Sequence, residues 1–155
     1  MTVTFDLARL VDQAVTGSNT EYPAPSHWRF SNLGRCPRAQ VLERMGAEKA
    51  KFSLKTKILL KIGNLLERQV VTWLATQLPV IATNVTVEAL EYDAVGHADA
   101  LIRVGNEIAV LEVKSTRDRG ILYTPYENHG LQAAAYAFFL GLPKAFLYYI
   151  GRDGA

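Results

Sequence analysis

The segment that decides the fold is VGHADALIRVGNEIAVLEVKS, residues 95–115, in which two apolar runs flank the dipeptide Gly-Asn at 105–106. Such a dipeptide between two apolar runs is typical of a two-residue β-hairpin loop. With that loop, counting back along the two strands places Asp99 directly opposite Glu112. The sequence therefore predicts a pair of facing carboxylates on one hairpin.

Lys114 is predicted to lie on the same face of the hairpin as these two acids. Side chains alternate between the faces of a strand with period two, so Glu112 and Lys114 share a face, and Asp99 shares it with them. Directly opposed residues have Cβ atoms roughly 4.5–5.5 Å apart. Two carboxylates at that separation repel unless one is protonated or a cation lies between them. Oxygen ligands suit Mg²⁺ or Mn²⁺ better than zinc. The alternative is an ion pair in which Lys114 only balances one acid.

The rest of the pattern predicts an α/β domain with a mixed sheet. Strands are expected near 80–91, 95–103 and 107–115, joined by short turns and therefore antiparallel. A helix over about 126–141 leads to a last strand at 145–150, and this connection is long enough for a right-handed parallel crossover. The helices expected before the sheet cover 5–15, about 37–45 (with Ser31 as N-cap and Pro37 in the first turn) and about 54–77.

Length and composition indicate one domain. The chain has 155 residues, of which 49% are hydrophobic and 21% charged, enough for a real core. We therefore treat 1–155 as a single domain in which residues 1–30 form an N-terminal helix and loop. The turn residues 151–155 directly follow an apolar strand, so we expect either a domain truncated at its C terminus or a minimal domain. No signal peptide or membrane-spanning run is visible, which favours a cytoplasmic protein.

Basic residues are concentrated in the N-terminal half, although the formal net charge is only +2. Such a cluster is either a solvated helix face or a surface that follows a phosphate backbone. The candidate phosphate contacts are Arg35, Arg38, Lys55, Lys57 and Lys61.

Two further side chains are candidates to assist the acid pair. Glu67 lies on an apolar stripe of the 54–77 helix, where a carboxylate needs a partner. It is either an additional metal-binding acid or part of a helix salt bridge with Lys61 or Arg68. His97 falls opposite Lys114 in the predicted register, and is a metal ligand, a phosphate contact or a residue near the sheet edge.

Gln132 and Tyr136 are four residues apart on the helix predicted after the hairpin, so they share a face. The three alanines between them let this helix pack close to the sheet. Taken alone, the pair indicates polar residues at the edge of the core. Beside the acid pair, the two side chains are candidates to hold a phosphate or to orient Lys114.

Taken in order, these elements resemble the PD-(D/E)xK nuclease superfamily, and within it the RecB-like exonuclease branch. That branch has a glycine-spaced acid on a helix, a Gly-x-x-Asp strand, an acid-x-Lys strand and a Gln-x-x-x-Tyr helix. The matching residues are Gly63 and Glu67, Gly96 and Asp99, Glu112 and Lys114, and Gln132 and Tyr136. The segment SNLGRCPR, residues 31–38, is similar to the Ser-x-Leu-x-x-Cys-Pro-Arg segment of CRISPR-associated and phage RecB-like exonucleases.

The resemblance implies a restriction-endonuclease-like fold, with a mixed central sheet flanked by helices, in a single nuclease domain. It implies a Mg²⁺- or Mn²⁺-dependent deoxyribonuclease, in the first place an exonuclease, acting in DNA repair, recombination or phage- and CRISPR-type DNA processing. DNA is the expected partner. The alternatives are a catalytically inactive nucleic-acid-binding or assembly module with the same fold, and a junction resolvase or restriction-type endonuclease.

The resemblance also implies roles for individual residues. Asp99 and Glu112, with the Val113 carbonyl, would bind the metal ion, and Glu67 would bind a second metal ion or a metal-bound water. Lys114 would orient or activate the attacking water and offset charge in the transition state. The candidate catalytic set is Glu67, Asp99, Glu112, Lys114, Gln132 and Tyr136.

An iron–sulfur cluster is not expected from this chain alone. Many relatives bind a [4Fe–4S] cluster through one N-terminal and three C-terminal cysteines, whereas Cys36 is the single cysteine here. Either the other cysteines lie on a missing tail or this is a cluster-free member. Many relatives also carry histidine where Glu67 stands, which bears on the subfamily more than on the chemistry.

Overall fold

The computed structural model describes residues 14, 25–48, 50–117 and 125–152. In chain order its elements are β1 (Trp28–Arg29), α1 (Pro37–Arg44), α2 (Leu54–Leu74), β2 (Val80–Ala89), β3 (Ala94–Val104), β4 (Glu107–Thr116), α3 (Glu127–Phe139) and β5 (Ala145–Gly151). Single 3₁₀ turns cover Phe30–Asn32 and Leu90–Tyr92. The helix predicted over 5–15 falls almost entirely outside the described residues.

These strands form one mixed sheet, as the sequence predicts. The strands β2, β3 and β4 are antiparallel neighbours, and β5 lies parallel to β4 after the α3 crossover. At the start of β3, Ala94 pairs with Ala89 of β2 on one side and with Trp28 of β1 on the other. The parallel strand β1 therefore occupies the edge of β3 that β4 uses further along. The α/β class with helices flanking a mixed sheet is confirmed.

The β3–β4 hairpin has the predicted register. Val104 pairs with Glu107, so the loop contains two residues, and Gly105 has the positive φ of +61° that such a loop requires. Regular pairing continues to Ala100 opposite Leu111. The next position along the two strands is that of the two predicted acids.

Helices cover both faces of this sheet. The core on the α3 side contains Phe30, Val87, Ala89, Ala98, Val110, Tyr136 and Ala137. The core on the α2 side contains Val70, Val71, Ala100, Ile102, Ala109, Leu111 and Val113. Because the hairpin lies between two apolar layers, the polar side chains in its middle are removed from water. None of the helices described here is both long enough and apolar enough to cross a bilayer.

Local signals set the starts of the helices. Pro37 occupies the first turn of α1, where its missing N–H costs nothing. The Ser53 hydroxyl accepts the Thr56 N–H at 3.2 Å and caps α2. The prediction of Ser31 as an N-cap is wrong, because Ser31 lies inside the 3₁₀ turn and Cys36 occupies the N-cap position of α1.

Candidate active site

Asp99 lies where the β3–β4 ladder ends. One residue beyond the last regular pair, its Oδ2 accepts the backbone N–H of Val113 at 2.7 Å. A carboxylate therefore bonds a β4 amide at the point where β3 begins to diverge towards β1. Burial raises the pKa of Asp99, while the Val113 N–H and the Lys114 ammonium lower it. This environment holds the carboxylate at the junction of three strands.

Glu112 is a buried acid in an apolar strand, and its side chain is only 2% exposed. Its Oε1 accepts a hydrogen bond from Lys114 Nζ at 2.5 Å. Its Oε2 is also buried and has no hydrogen-bond partner among the described residues. The pKa of Glu112 is raised to about 7, because burial and the nearby Asp99 raise it more than Lys114 lowers it. Burying a charged oxygen without a partner is costly. A proton on Oε2 or a cation bound to it would remove that cost.

Glu67 reaches the same region from α2. Its Oε1 accepts the backbone N–H of Ser115 on β4 at 3.3 Å. The salt bridge with Lys61 or Arg68 that the sequence left open is absent from the described contacts of Glu67, which bonds the strand instead. Burial raises the pKa of Glu67, Lys114 lowers it and Asp99 raises it.

Gly63 explains how α2 comes close enough for this contact. A Cβ at position 63 would lie 2.8 Å from the Ser115 hydroxyl oxygen. The glycine is buried on the α2 face together with Val70 and Val71, as the predicted stripe requires. The missing side chain at position 63 therefore makes room for strand β4.

Gln132 and Tyr136 are both buried on α3, and Tyr136 lies close enough to Glu112 for that acid to raise its pKa. The two side chains are 4% and 1% exposed, and Gln132 Nε2 donates to the Tyr136 hydroxyl at 2.9 Å. Gly96 makes room for the ring, since a Cβ there would lie 2.7 Å from it. Burial raises the pKa of Tyr136 to about 12, so the phenol is neutral at ordinary pH. Because both side chains are buried, neither reaches solvent to touch a phosphate.

The remaining candidates lie further from the acids. His97 is exposed on β3, and its Nδ1 is 3.3 Å from the hydroxyl of Thr86 on β2. This contact places it with a neighbouring strand and favours the surface interpretation over metal ligation. The basic candidates lie around α1 and on the N-terminal half of α2. Arg35, Arg38, Lys55 and Lys61 are exposed, and Lys57 is partly buried.

The structure also brings together two residues that the sequence did not single out. His129 Nδ1 lies 2.8 Å from the Tyr149 hydroxyl, and Tyr149 pairs with Lys114 across the parallel β4–β5 ladder. Burial and the nearby Lys114 lower the pKa of His129. Both effects favour the neutral form of the His129 imidazole. Its position three residues before Gln132 on the same helix was the available signal, since residues three apart share a face.

The three acids suit a hard divalent cation by their chemistry, but they are bonded inside the protein. Among the residues the structure describes, no three His, Cys, Asp or Glu side chains already form a metal-binding cluster. Asp99 and Glu67 accept backbone N–H groups, and Glu112 accepts the Lys114 ammonium. The Oε2 atom of Glu112 has no such bond. A carboxylate oxygen that is buried and unbonded beside two further acids fits an oxygen-ligated cation such as Mg²⁺ or Mn²⁺.

The fold is shared with a protein of known crystal structure. The chain is similar to the protein called SSO0001, with a TM-score of 0.65. The match covers 94% of this chain and 72% of that chain, at 22% sequence identity. A likeness at this identity shows the fold alone. The sequence matches no protein-family model and no curated protein.

Proposed function

We propose that this chain is a divalent-metal-dependent DNA nuclease of the PD-(D/E)xK type, in the RecB-like exonuclease branch. The observation that carries the proposal is the environment of Glu112. One oxygen of this buried carboxylate bonds Lys114, the other has no described partner, and Asp99 stands beside it. The nearby acids thus outnumber the single Lys114 ammonium, and a divalent metal ion would offset the excess negative charge.

The residues divide the chemistry of phosphodiester hydrolysis between them. Asp99 and Glu112 are the proposed metal ligands, with the Val113 carbonyl, and Glu67 completes the acid set from α2. A divalent ion held by these residues would lower the pKa of a bound water and would offset charge on the phosphate oxygens. Lys114 holds the attacking water and stabilises the charge that develops on phosphorus oxygens.

Substrate binding is assigned to the basic surface and support to the buried polar pair. Arg35, Arg38 and the α2 lysines supply backbone contacts, which give affinity without reading sequence. Gln132 and Tyr136 are buried and bond each other near Glu112, and the role we assign to them is that of positioning residues. The proposed reaction is the removal of nucleotides from DNA ends in repair, recombination or the processing of foreign DNA.

The test is cleavage of end-labelled linear DNA and closed circular DNA with Mn²⁺. We expect wild type to degrade the linear DNA, and Asp99→Asn and Lys114→Met to lose at least about 100-fold in rate. Glu88→Gln is the matched control, since this glutamate is exposed on β2 and is not one of the three proposed site acids. Retained activity in the Asp99→Asn/Lys114→Met double variant, with folding checked by circular dichroism, contradicts the proposal. Cutting of the circle indicates an endonuclease or resolvase instead.

One observation favours a second candidate, a nucleic-acid-binding module that has the fold but does not turn over. Each acid already bonds a donor of the protein, and the Lys114–Glu112 pair balances part of the charge. A metal titration separates the two candidates. DNA binding that is unchanged by Mn²⁺, without cleavage, favours the binding module.

A further inference from the structure

Asn84 on β2 has an unusual backbone for a strand residue. Its φ is +49°, in the left-handed region. Non-glycine residues adopt this region at an energetic cost, and such residues concentrate at functional sites. The β2–β3 pairs on either side of Asn84 place it opposite Asp99, the proposed metal ligand. A distorted strand position therefore lies directly beside the acid group.

The strand changes the face it presents at Asn84. In a regular strand, residues two apart share a face. Val85 and its partner Ala98 pack with the core on the α3 side. Thr83 instead lines a cleft beside α2, and its partner Ala100 belongs to the α2-side core. Asn84 lies between these two pairs.

A cleft between α2 and β2 contains two of the proposed site acids, Glu67 and Asp99. Its volume is about 420 Å³, within the roughly 300–1,000 Å³ of sites that hold small molecules. Its polar lining consists of Glu67, Arg68, Thr72, Thr83, Asn84 and Asp99.

Several polar groups of this cleft are available to a ligand. Across the described contacts, the side chains of Arg68, Thr83 and Asn84 form no hydrogen bond or ion pair. Thr72 is different, because its hydroxyl donates to the Arg68 carbonyl at 3.0 Å. The cleft thus offers a cation, an amide and a hydroxyl next to the proposed metal ligands.

We infer that this cleft binds the nucleotide adjacent to the scissile phosphate, with Asn84 as a positioning residue. This inference rests on the proposed nuclease function. Arg68 contacts the flanking phosphate, and the Asn84 amide and Thr83 hydroxyl bond the sugar–phosphate backbone. Among the described lining residues none is aromatic, so bases have no stacking platform here. Recognition in the cleft is therefore of the backbone and is independent of base identity.

The variants are chosen to separate the Asn84 side chain from its backbone. Asn84→Gly keeps the left-handed conformation and removes the amide, whereas Asn84→Ala also strains the backbone. Arg68→Gln removes the cation. Arg103→Gln is the matched control, because this exposed arginine on β3 lies away from the cleft lining.

The experiment measures Mn²⁺-dependent cleavage kinetics, and oligonucleotide binding by fluorescence anisotropy in Ca²⁺ over a range of NaCl concentrations. We expect Asn84→Gly to raise KM for DNA about tenfold with an unchanged melting temperature, and Asn84→Asp to raise it further by repelling phosphate. Arg68→Gln lowers the slope of log K against log salt by about 1, while Arg103→Gln does not. Oligonucleotides of different base composition respond alike.

Two outcomes overturn the inference, and they are distinguishable. If wild type cleaves DNA but Asn84→Gly and Arg68→Gln keep its KM, kcat and salt slope, the cleft assignment is wrong and the nuclease function stands. If Asn84→Gly loses activity only in proportion to a loss of folded protein, the residue is structural and the assignment is wrong. If wild type neither cleaves nor binds DNA, the proposed function fails, and the cleft assignment fails with it.

Discussion

Lys114 bonds one oxygen of Glu112 and leaves the other without a described partner. The Nζ–Oε1 distance is 2.5 Å, and Oε2 is buried. The ion pair that the sequence offered as an alternative is therefore present, but it accounts for only half of the carboxylate. Asp99, which raises the pKa of Glu112, adds a second negative charge close by. The remaining oxygen is the feature that a self-contained ion pair does not explain.

The stability of the metal-free protein should fall as pH rises towards neutrality. Burial raises the pKa of Glu112 from 4.5 to about 7, so between these values the folded state holds a proton that the unfolded state has released. The burial of Asp99 and Glu67 acts in the same direction. Glu112→Gln should flatten the profile between pH 4.5 and 8 by on the order of 1–3 kcal/mol. Urea unfolding in EDTA measures this, and parallel profiles for wild type and variant would contradict the assignment.

Gly96→Ala should destabilise the fold, whereas Gly130→Ala should not. A Cβ at position 96 would lie 2.7 Å from the Tyr136 ring and 2.9 Å from Phe30, and both rings are buried. Overpacking of this kind costs about 1–3 kcal/mol. At Gly130 in α3 a Cβ meets open space, so alanine should add about 0.5–1 kcal/mol of stability. Urea unfolding of both variants tests this, and equal effects would show that the Gly96–Tyr136 contact is not tight.

Tyr136→Phe should act on stability more than on metal binding. The change leaves Gln132 Nε2 buried without its acceptor, which costs about 1–3 kcal/mol. Adding Gln132→Leu should recover part of that loss, because both polar groups are then gone. Unfolding of the single and double variants gives the coupling energy. A Tyr136→Phe protein with unchanged stability and abolished cleavage would instead assign the phenol a direct part in the chemistry.

The sequence was sufficient for the hairpin and for the face of Glu67. The Gly-Asn loop sets the register, and the period of two then sets which side chains share a face, so the neighbourhood of Asp99 and Glu112 followed by counting. The apolar stripe of the 54–77 helix likewise indicated that Glu67 lies on the side of α2 that faces the protein and needs a partner there. Its actual partner was not predictable, because the backbone N–H of Ser115 carries no residue-type signal.

The sequence did not predict features that depend on contacts between residues far apart in the chain. The two-residue strand β1 is too short to show a pattern, and the divergence of β3 from β4 depends on it. The contact between His129 and Tyr149 requires the parallel β4–β5 register. The left-handed conformation of Asn84 accompanies the change of face in β2. An asparagine between threonine and valine in a strand sequence does not predict that conformation.

The central claim is that a divalent cation binds the carboxylate of Glu112 through the oxygen that has no described hydrogen-bond partner. Calorimetric titration of Mn²⁺ into the 155-residue chain at pH 7, in two buffers of different ionisation enthalpy, measures both binding and proton release. We predict that wild type binds Mn²⁺ and releases a proton, because the pKa of Glu112 is about 7, and that Glu112→Gln loses both effects while remaining folded. Absence of Mn²⁺ binding by folded wild type, or equal affinity in Glu112→Gln, would contradict the claim.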